Sequence, residues 1–576
     1  MAQQVKADIV IGGKKLEHFT HLQINQSLFT HHTFEIAVPF EVLEDKNDFF
    51  FKQSHSAMVG EVATISFKTV YKNVPADFKF SGIVTELTLI NDSDMINSFV
   101  IIGHSPTCLM EDGAQRRAWV GQPFPGIIND VLKDYSSFNK SVNVVFKDKI
   151  DYKAQYDESN WEYLTRLCHE YGEWCYYDGT QLVVGKAVHP EQAFVADGIQ
   201  HFSMSVGVKP NQIEMMHYNY QKHERYSSKG QAVSGLGTFG DFAYSKSAAL
   251  FSQSSLQWPL RDIQFKSQLD DAVEAMNKAN ATDLVRFNGA GENPNLGVGV
   301  VVNVTARKLD TANTNKFKEE SAGKYRINTI THSVDEVGNY ENHFEAVPFS
   351  VSSPPFSPNP HSPVALPEVA TVKFNEDPLK LGRVKVEFHW PNTLMAKSSW
   401  IRVAVPYTGG ARGSLYIPEI EDQVLISYEA NHVDFPVIVG SLYHKDPSTN
   451  YWFDNNYQKI IRTKGGNKIV MKDKPGEQEF FITNSNNKGT SLHISFKDDG
   501  VIHMQTKGLI QMDAKDIKMN AKNNIEMQAG KDIKITAGKN VEVNATVDHK
   551  ETAKNITLNG SSTIEATAPR IDLNES

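Results

Sequence analysis

A few short motifs carry residues that could do chemistry. His169-Glu170 sits in a stretch with helical spacing, and a zinc-protease H-E-x-x-H would need a second histidine at position 173. Glu173 stands there instead, so two imidazoles cannot share one helix face. Cys168 and Cys175 are too far apart for a C-x-x-C and read as core residues. Gly235-Leu236-Gly237-Thr238-Phe239-Gly240 matches G-x-G-x-x-G, but a dinucleotide site needs a hydrophobic strand before it and a helix opening at it. The preceding segment, 227–234, is polar, so a plain glycine-rich loop is expected. Gly530-Lys531 and Gly538-Lys539 lack the spacing and the Ser/Thr of a P-loop. His31-His32, and His432 near Asp434, read as solvated loop or strand residues. Arg383 and Arg402 read as partners in barrel or interchain ion pairs. No catalytic, cofactor or metal set is expected from these residues.

Composition narrows the classes further. The chain has 576 residues, 58 Lys/Arg against 68 Asp/Glu, and a net charge of −10. A generally basic nucleic-acid binder is excluded, because phosphate neutralisation needs clustered cations. Three cysteines make no disulfide framework and point to a reducing compartment. No apolar run approaches the ~18 residues of a membrane span, and MAQQVKADIVIGGKK lacks the core of a secretory signal. Export without a cleaved signal is the expectation.

The elements that must position these residues fall into two kinds. All 59 aromatics precede residue 500, the last being Phe496. Residues 501–576 have none, and their ten basic and ten acidic side chains cancel. This tail repeats every eight residues. Val501, Leu509, Ile517, Ile525, Ile533 and Val541 open octads; Met519, Met527, Ile535 and Val543 stand two places on; Ala521, Ala529, Ala537 and Ala545 stand four places on. As strands, these positions share one face, with Lys, Glu, Asn, Gln and Thr on the other. Gly530-Lys531-Asp532 and Gly538-Lys539-Asn540 mark corners. The register loosens after Asp548 and partly resumes at Ile556, Ile564 and Ile571.

A five-residue strand buries about three side chains on one face, too few for a core. The octads therefore need partners. Six octads at ~4.8 Å per strand would rise roughly 30 Å. A shaft in which several identical chains wind together satisfies this, with Ile517, Met519, Ile525, Met527, Ile533, Ile535, Val541 and Val543 inside. A single-chain solenoid is the alternative, although eight residues make only one side of a triangular coil.

Upstream, residues 354–367 carry six prolines and read as a semi-rigid linker within 351–370. Residues 1–350 mix strands (Asp8–Ile11, Thr33–Val38, Val62–Phe67, Phe99–Ile102) with helices (Pro125–Tyr135, Ser159–Tyr171, Ile263–Lys278). Ser159 with Glu162 forms a capping box, and Gly172 is a stop. Residues 371–445 hold about five short strands, suggesting a small closed barrel. Residues 446–500 read as hairpins turning at Lys472–Gly476 and Asp498-Asp499-Gly500.

The blocks Leu381–Trp390, Ser399–Pro406, Ile417–Val424 and Asp434–Tyr443 resemble the OB-fold of VgrG proteins, the spikes of bacterial type VI secretion systems. Tyr156–Leu167 with Glu170-Tyr171-Gly172 is similar to that family's characteristic helix. His332–Pro348 resembles the end of its base, and Asp473–Gly476 with Glu479 its barrel-to-needle neck. Glu419 and Glu421 replace the family's usual Arg and Gly, and His432-Val433-Asp434 replaces its acidic pair.

The resemblance implies a mainly β protein with some α. It would have a base of two barrel-like subdomains with helices (1–350), an OB-fold barrel (371–445), neck hairpins (446–500) and a trimeric intertwined β-helix (501–576). It implies a homotrimer built like the cell-puncturing device of contractile phages. The base would meet an Hcp-type tail tube and baseplate. A PAAR-type protein would cap the tip near Ile564, Ile571 and Leu573, and secreted effectors would ride on the assembly. Assembly in the cytoplasm, then injection through a target membrane, is expected, with no enzymatic activity of its own. Fewer than sixty residues separate Tyr443 from the octads, too few for an inserted lysozyme-sized domain, and no toxin domain is expected beyond Ser576. Two alternatives stand: the spike of an extracellular injection particle or phage tail, and a β-helical polysaccharide-acting enzyme. The second would need clustered acids, whereas the outward column Lys518, Glu526, Lys534, Glu542 alternates in sign.

Overall fold

Apolar–polar alternation makes His21–Ser27, Thr33–Pro39 and Val62–Thr69 strands with one buried face: Leu22 and Ile24, then Phe34, Ile36 and Val38, then Ala63, Ile65 and Phe67. The computed structural model describes residues 4–70, 77–92, 95–186, 191–196, 200–311, 313–357, 363–445 and 454–573. It divides into two compact units, Met1–Thr449 and Asn450–Ser576. Among the described residues, no helix is long and apolar enough to cross a membrane.

The first unit is organised by a 13-stranded sheet whose strands come from both ends of the base. The seam is the antiparallel pairing of His21–Ser27 with Asn313–Asp335, in the register Ser27 to Thr329 and His21 to Asp335. Both ends of residues 1–350, where two barrel-like subdomains are the sequence expectation, thus share one continuous sheet. Each keeps its own core, one around Phe34, Phe80 and Phe99 and one around Phe124, Leu164 and Phe287.

Helices cover the second core. Asn160–Tyr171 starts as the sequence implies: Glu162 N–H donates to Ser159 Oγ at 3.1 Å, and Ser159 N–H donates to Glu162 Oε2 at 2.8 Å. It stops at Gly172, whose φ of 69° is left-handed. Phe124–Leu132 is shorter than expected and Lys266–Thr282 runs later. The latter extends because Ala279 and Ala281 are buried.

One helix differs from the sequence expectation. Gly237–Leu250 opens inside the glycine hexad, where a plain loop is the sequence expectation. Leu236, Ala243 and Tyr244 pack on Ala281, Leu284 and Val351, and Asp241 Oδ1 accepts the Leu236 N–H at 3.1 Å. The preceding strand ends at Lys229, before the motif, so the strand-turn-helix of a dinucleotide site is not formed.

The barrel begins at Glu368, inside the segment read as linker. Its strands Lys385–Phe388, Glu368–Phe374, Gln423–Tyr428, Pro436–Leu442 and Arg402–Val403 neighbour one another in that order. Bridges from Val384 to Ile401 and from Glu387 to Lys397 close the circle. Residues 358–362 of the expected linker lie outside the described residues, as do 446–453 of the expected neck.

The second unit contains a five-stranded antiparallel meander from Gln458–Arg462 to Val501–Gln505. The first octad is therefore a strand of this meander: Ser491 faces Gln505 and Ser495 faces Val501. Its turns include Gly476 and Gly500, both at positive φ. From 506 to 573 the described chain has neither helix nor strand.

Candidate functional site: a buried charge junction and an unpaired octad strip

Two features stand out, one in each unit. In the first, the strand Lys149–Glu158 would carry Lys153 into the protein interior, which a charge avoids unless it is paired. The pairing is complete. Lys153 Nζ donates to Asp434 Oδ2 at 2.6 Å and also contacts Glu170. Asp434 Oδ1 accepts the Ala154 N–H at 2.9 Å. Arg166 grips Glu158 with two bonds of 2.7 and 2.8 Å, reaches Glu170 at 2.8 Å, and donates to the Ala154 carbonyl. All five charged side chains are at most 4% exposed. Burial by itself would push the Lys153 ammonium down; the Asp434 and Glu170 carboxylates reverse this and raise it. Burial likewise opposes the Asp434 carboxylate, and Lys153 then holds it below the ordinary range.

Asp434 belongs to the barrel and Lys153 to the base, so the network bolts one to the other. Apolar packing surrounds the bolt, since Ala118, Tyr152, Ala154 and Tyr156 share a core with Val372, Val424 and Ile438. The sequence expectation puts His432, near Asp434, in solvent. Asp434 is buried and His432 only partly exposed, because the base covers that loop. Little local signal marks the network, since Lys153 stands among Asp151, Gln155 and Asp157; only Arg166, between Leu164 and Leu167, interrupts an apolar helix face.

The other candidates are held by structural contacts. His32 is fully buried, a correction to its expected solvation: Ser105 Oγ accepts its N–H, and its ring donates to the Ser27 carbonyl. His31 is held between Thr107 and Glu111 and lies 4.4 Å from the Trp161 ring. Glu173 Oε1 accepts the N–H groups of Val145 and Phe146, a structural role. Cys168 and Cys175 are buried thiols, and Cys108 is partly exposed. Arg383 pairs with Asp377 at 2.7 Å, and Arg402 pairs with Glu429 and stacks over Tyr220. A cleft of about 720 Å³ beside the junction brings Asp151 and Asp262 to one wall. Burial pushes the Asp262 carboxyl up, and Asp151 adds to this.

The octad strip is the second feature. Ile517, Met519, Ile525, Met527, Ile533, Ile535, Val541 and Val543 are each 53–68% exposed. Ile564, Ile571 and Leu573 are exposed as well. Among the described residues, 506–573 form no backbone–backbone hydrogen bond within the chain. A single copy brings none of these side chains into a core.

Comparison with known proteins agrees with this architecture. The family model of the phage tail baseplate hub (GPD) matches residues 32–338, and that of the type VI secretion system/phage-baseplate injector OB domain matches 368–443. The chain is 22% identical over 449 residues to the type VI secretion system spike protein VgrG1b of Pseudomonas aeruginosa, covering 70% of this chain and 58% of that protein. It is 32% identical over 110 residues to VgrG3 of Vibrio cholerae, 18% of this chain and 11% of that one. The chain thus spans less than two thirds of the curated relatives it matches. A solved chain of the half-lidded Francisella PdpA-VgrG complex shares the fold with a TM-score of 0.57 at 8% identity, over 88% of each chain. With the hub model matching more than half of its residues, the chain belongs to the phage tail baseplate hub (GPD) family and is homologous to the VgrG spike proteins.

Proposed function

We propose that this protein is the structural spike of a contractile injection machine of the type VI kind, acting as a homotrimer at the tip of the tail tube. The observation that carries this reading is the octad strip after the first octad: dozens of consecutive residues with repeating aliphatics and, among the described residues 506–573, no core or backbone ladder inside one chain. Burying a Val, Ile or Met side chain is worth about 1.5–3 kcal/mol, and a lone chain forgoes that at every octad. Exposed extended backbone is also a template for strand addition. Three chains wound together supply both the ladder and an aliphatic interior, while the neutral polar face stays in water.

In this reading the hub sheet sits on an Hcp-type tube and baseplate. The barrel forms a collar, and the junction at Lys153 keeps base and barrel from shearing when the tube is driven forward. The tip end, with Ile564, Ile571 and Leu573, would be covered by a PAAR-type protein, and effectors would be carried on the assembly. The protein assembles in the cytoplasm and leaves it by contraction, using force supplied by the sheath and no reaction of its own.

Native mass of the purified chain tests the proposal: a trimer is expected, and a stable monomer refutes it. The enzymatic alternative is tested where acids cluster. Turnover in a polysaccharide digestion assay that is lost in Asp262→Asn would replace the purely structural reading. Gene neighbours separate a secretion system from a free particle, since only the former needs a membrane complex and a recycling ATPase.

A further inference from the structure

The octad count does not end at Asp548. Eight residues after Val541 stands His549, two further stands Glu551, and two further again stands Ala553. Ala553 continues the column Ala521, Ala529, Ala537, Ala545, so the register holds through this layer. Only the two large interior positions have changed, from aliphatic to His and Glu. The corner is then one residue shorter, and Ile556 and Leu558 resume the pattern. His549 Nε2 and Glu551 Oε1 are 3.0 Å apart, which requires both side chains on the same face of the extended chain. By the octad count that face is the one bearing Val541 and Val543.

We propose that the His549–Glu551 layer is a binding site for a divalent transition-metal ion on the shaft axis. The inference rests on the three-chain shaft proposed above. One chain cannot make the site: among the described residues, no group of three His, Cys, Asp or Glu is placed to hold an ion. Three chains bring three imidazoles and three carboxylates to a single layer between aliphatic ones. Polar groups so enclosed must find partners. The pair already formed is the arrangement metal sites use, in which a carboxylate takes one ring N–H and fixes the tautomer. It leaves Nδ1, which has no hydrogen bond among the described residues, as the free lone pair. Three such nitrogens around a threefold axis make a ligand set suited to Zn²⁺, Ni²⁺ or Co²⁺, with the remaining positions open to water.

The test uses the full chain, stripped with chelator and then dialysed against Zn²⁺, with oligomeric state read by native mass and zinc by elemental analysis. The expected result is a trimer holding one zinc per three chains more than the double variant His549→Ile/Glu551→Met, which restores the aliphatic repeat and should assemble. Glu551→Gln should keep the trimer and weaken zinc binding about 10–100-fold. A wild-type trimer holding no more zinc than the double variant overturns the site and leaves the spike reading intact; the layer is then a closed ring of His–Glu ion pairs. A wild-type monomer overturns both.

Discussion

Lys153 Nζ lies 2.6 Å from Asp434 Oδ2, joining the base to the barrel across 281 residues of sequence. Both side chains are about 1% exposed. Replacing either one alone leaves the other charged and buried, at a cost of about 3–5 kcal/mol. Lys153→Met and Asp434→Leu should each destabilise by that much. Together they should cost well under the sum, with a coupling of roughly 2–3 kcal/mol. Urea unfolding followed by tryptophan fluorescence checks this; additive losses would mean that the pair does not act as a unit.

Acid should weaken the base through two histidines. Burial, the largest cause in both cases, pushes His32 and His332 down to about 3. The unfolded chain takes up these protons near pH 6.5 while the folded chain stays neutral, so stability is full above that pH and falls as pH drops toward 3. Each should cost about 2 kcal/mol at pH 5, at 1.36 kcal/mol per unit. His32→Gln and His332→Gln should each flatten the slope of stability against pH between 6.5 and 4. An unchanged slope would place the protons elsewhere.

Glu421 has a φ of +73° where the VgrG family usually has glycine. A side chain in that region costs about 1–2 kcal/mol. Glycine regains this but adds chain entropy worth about 0.5–1 kcal/mol and forfeits the exposed pair with Lys373, worth ~0–1 kcal/mol. Glu421→Gly should therefore shift stability by a net of only about −1 to +1.5 kcal/mol. Thermal melting that shows a larger loss would mean that the Lys373 contact outweighs the strain.

Met527 stands in the octad column proposed as the shaft interior, and Gln528 beside it points the other way. Met527→Asp would place three carboxylates in one apolar layer without partners and should abolish the trimer. Gln528→Asp should assemble normally. The reverse pattern in native mass would show that the inward and outward faces have been exchanged.

Local rules made much of the molecule legible in advance. The capping box at Ser159 and Glu162, the stop at Gly172, the alternation of Thr33–Pro39 and the hairpin turns at Gly476 and Gly500 depend on neighbours within a few residues. The octad period is equally local, and so was the prediction that one chain could not bury it. The helix at Gly237 was not legible, because its apolar face is completed by Ala281, Leu284 and Val351, far along the chain.

The amino-acid sequence alone determined the two kinds of construction, aromatic-cored domains and an aromatic-free repeat, because periodicity and composition are properties of the chain itself. Tertiary structure alone decided that strands from both ends of the base share one sheet through Ser27 and Thr329, and that His32 and Asp434 are buried. Burial of a charge or an imidazole depends on what the fold places over it. For Asp434 the cover is a strand 280 residues upstream, whose Ala154 N–H and Lys153 ammonium together make the buried carboxylate stable.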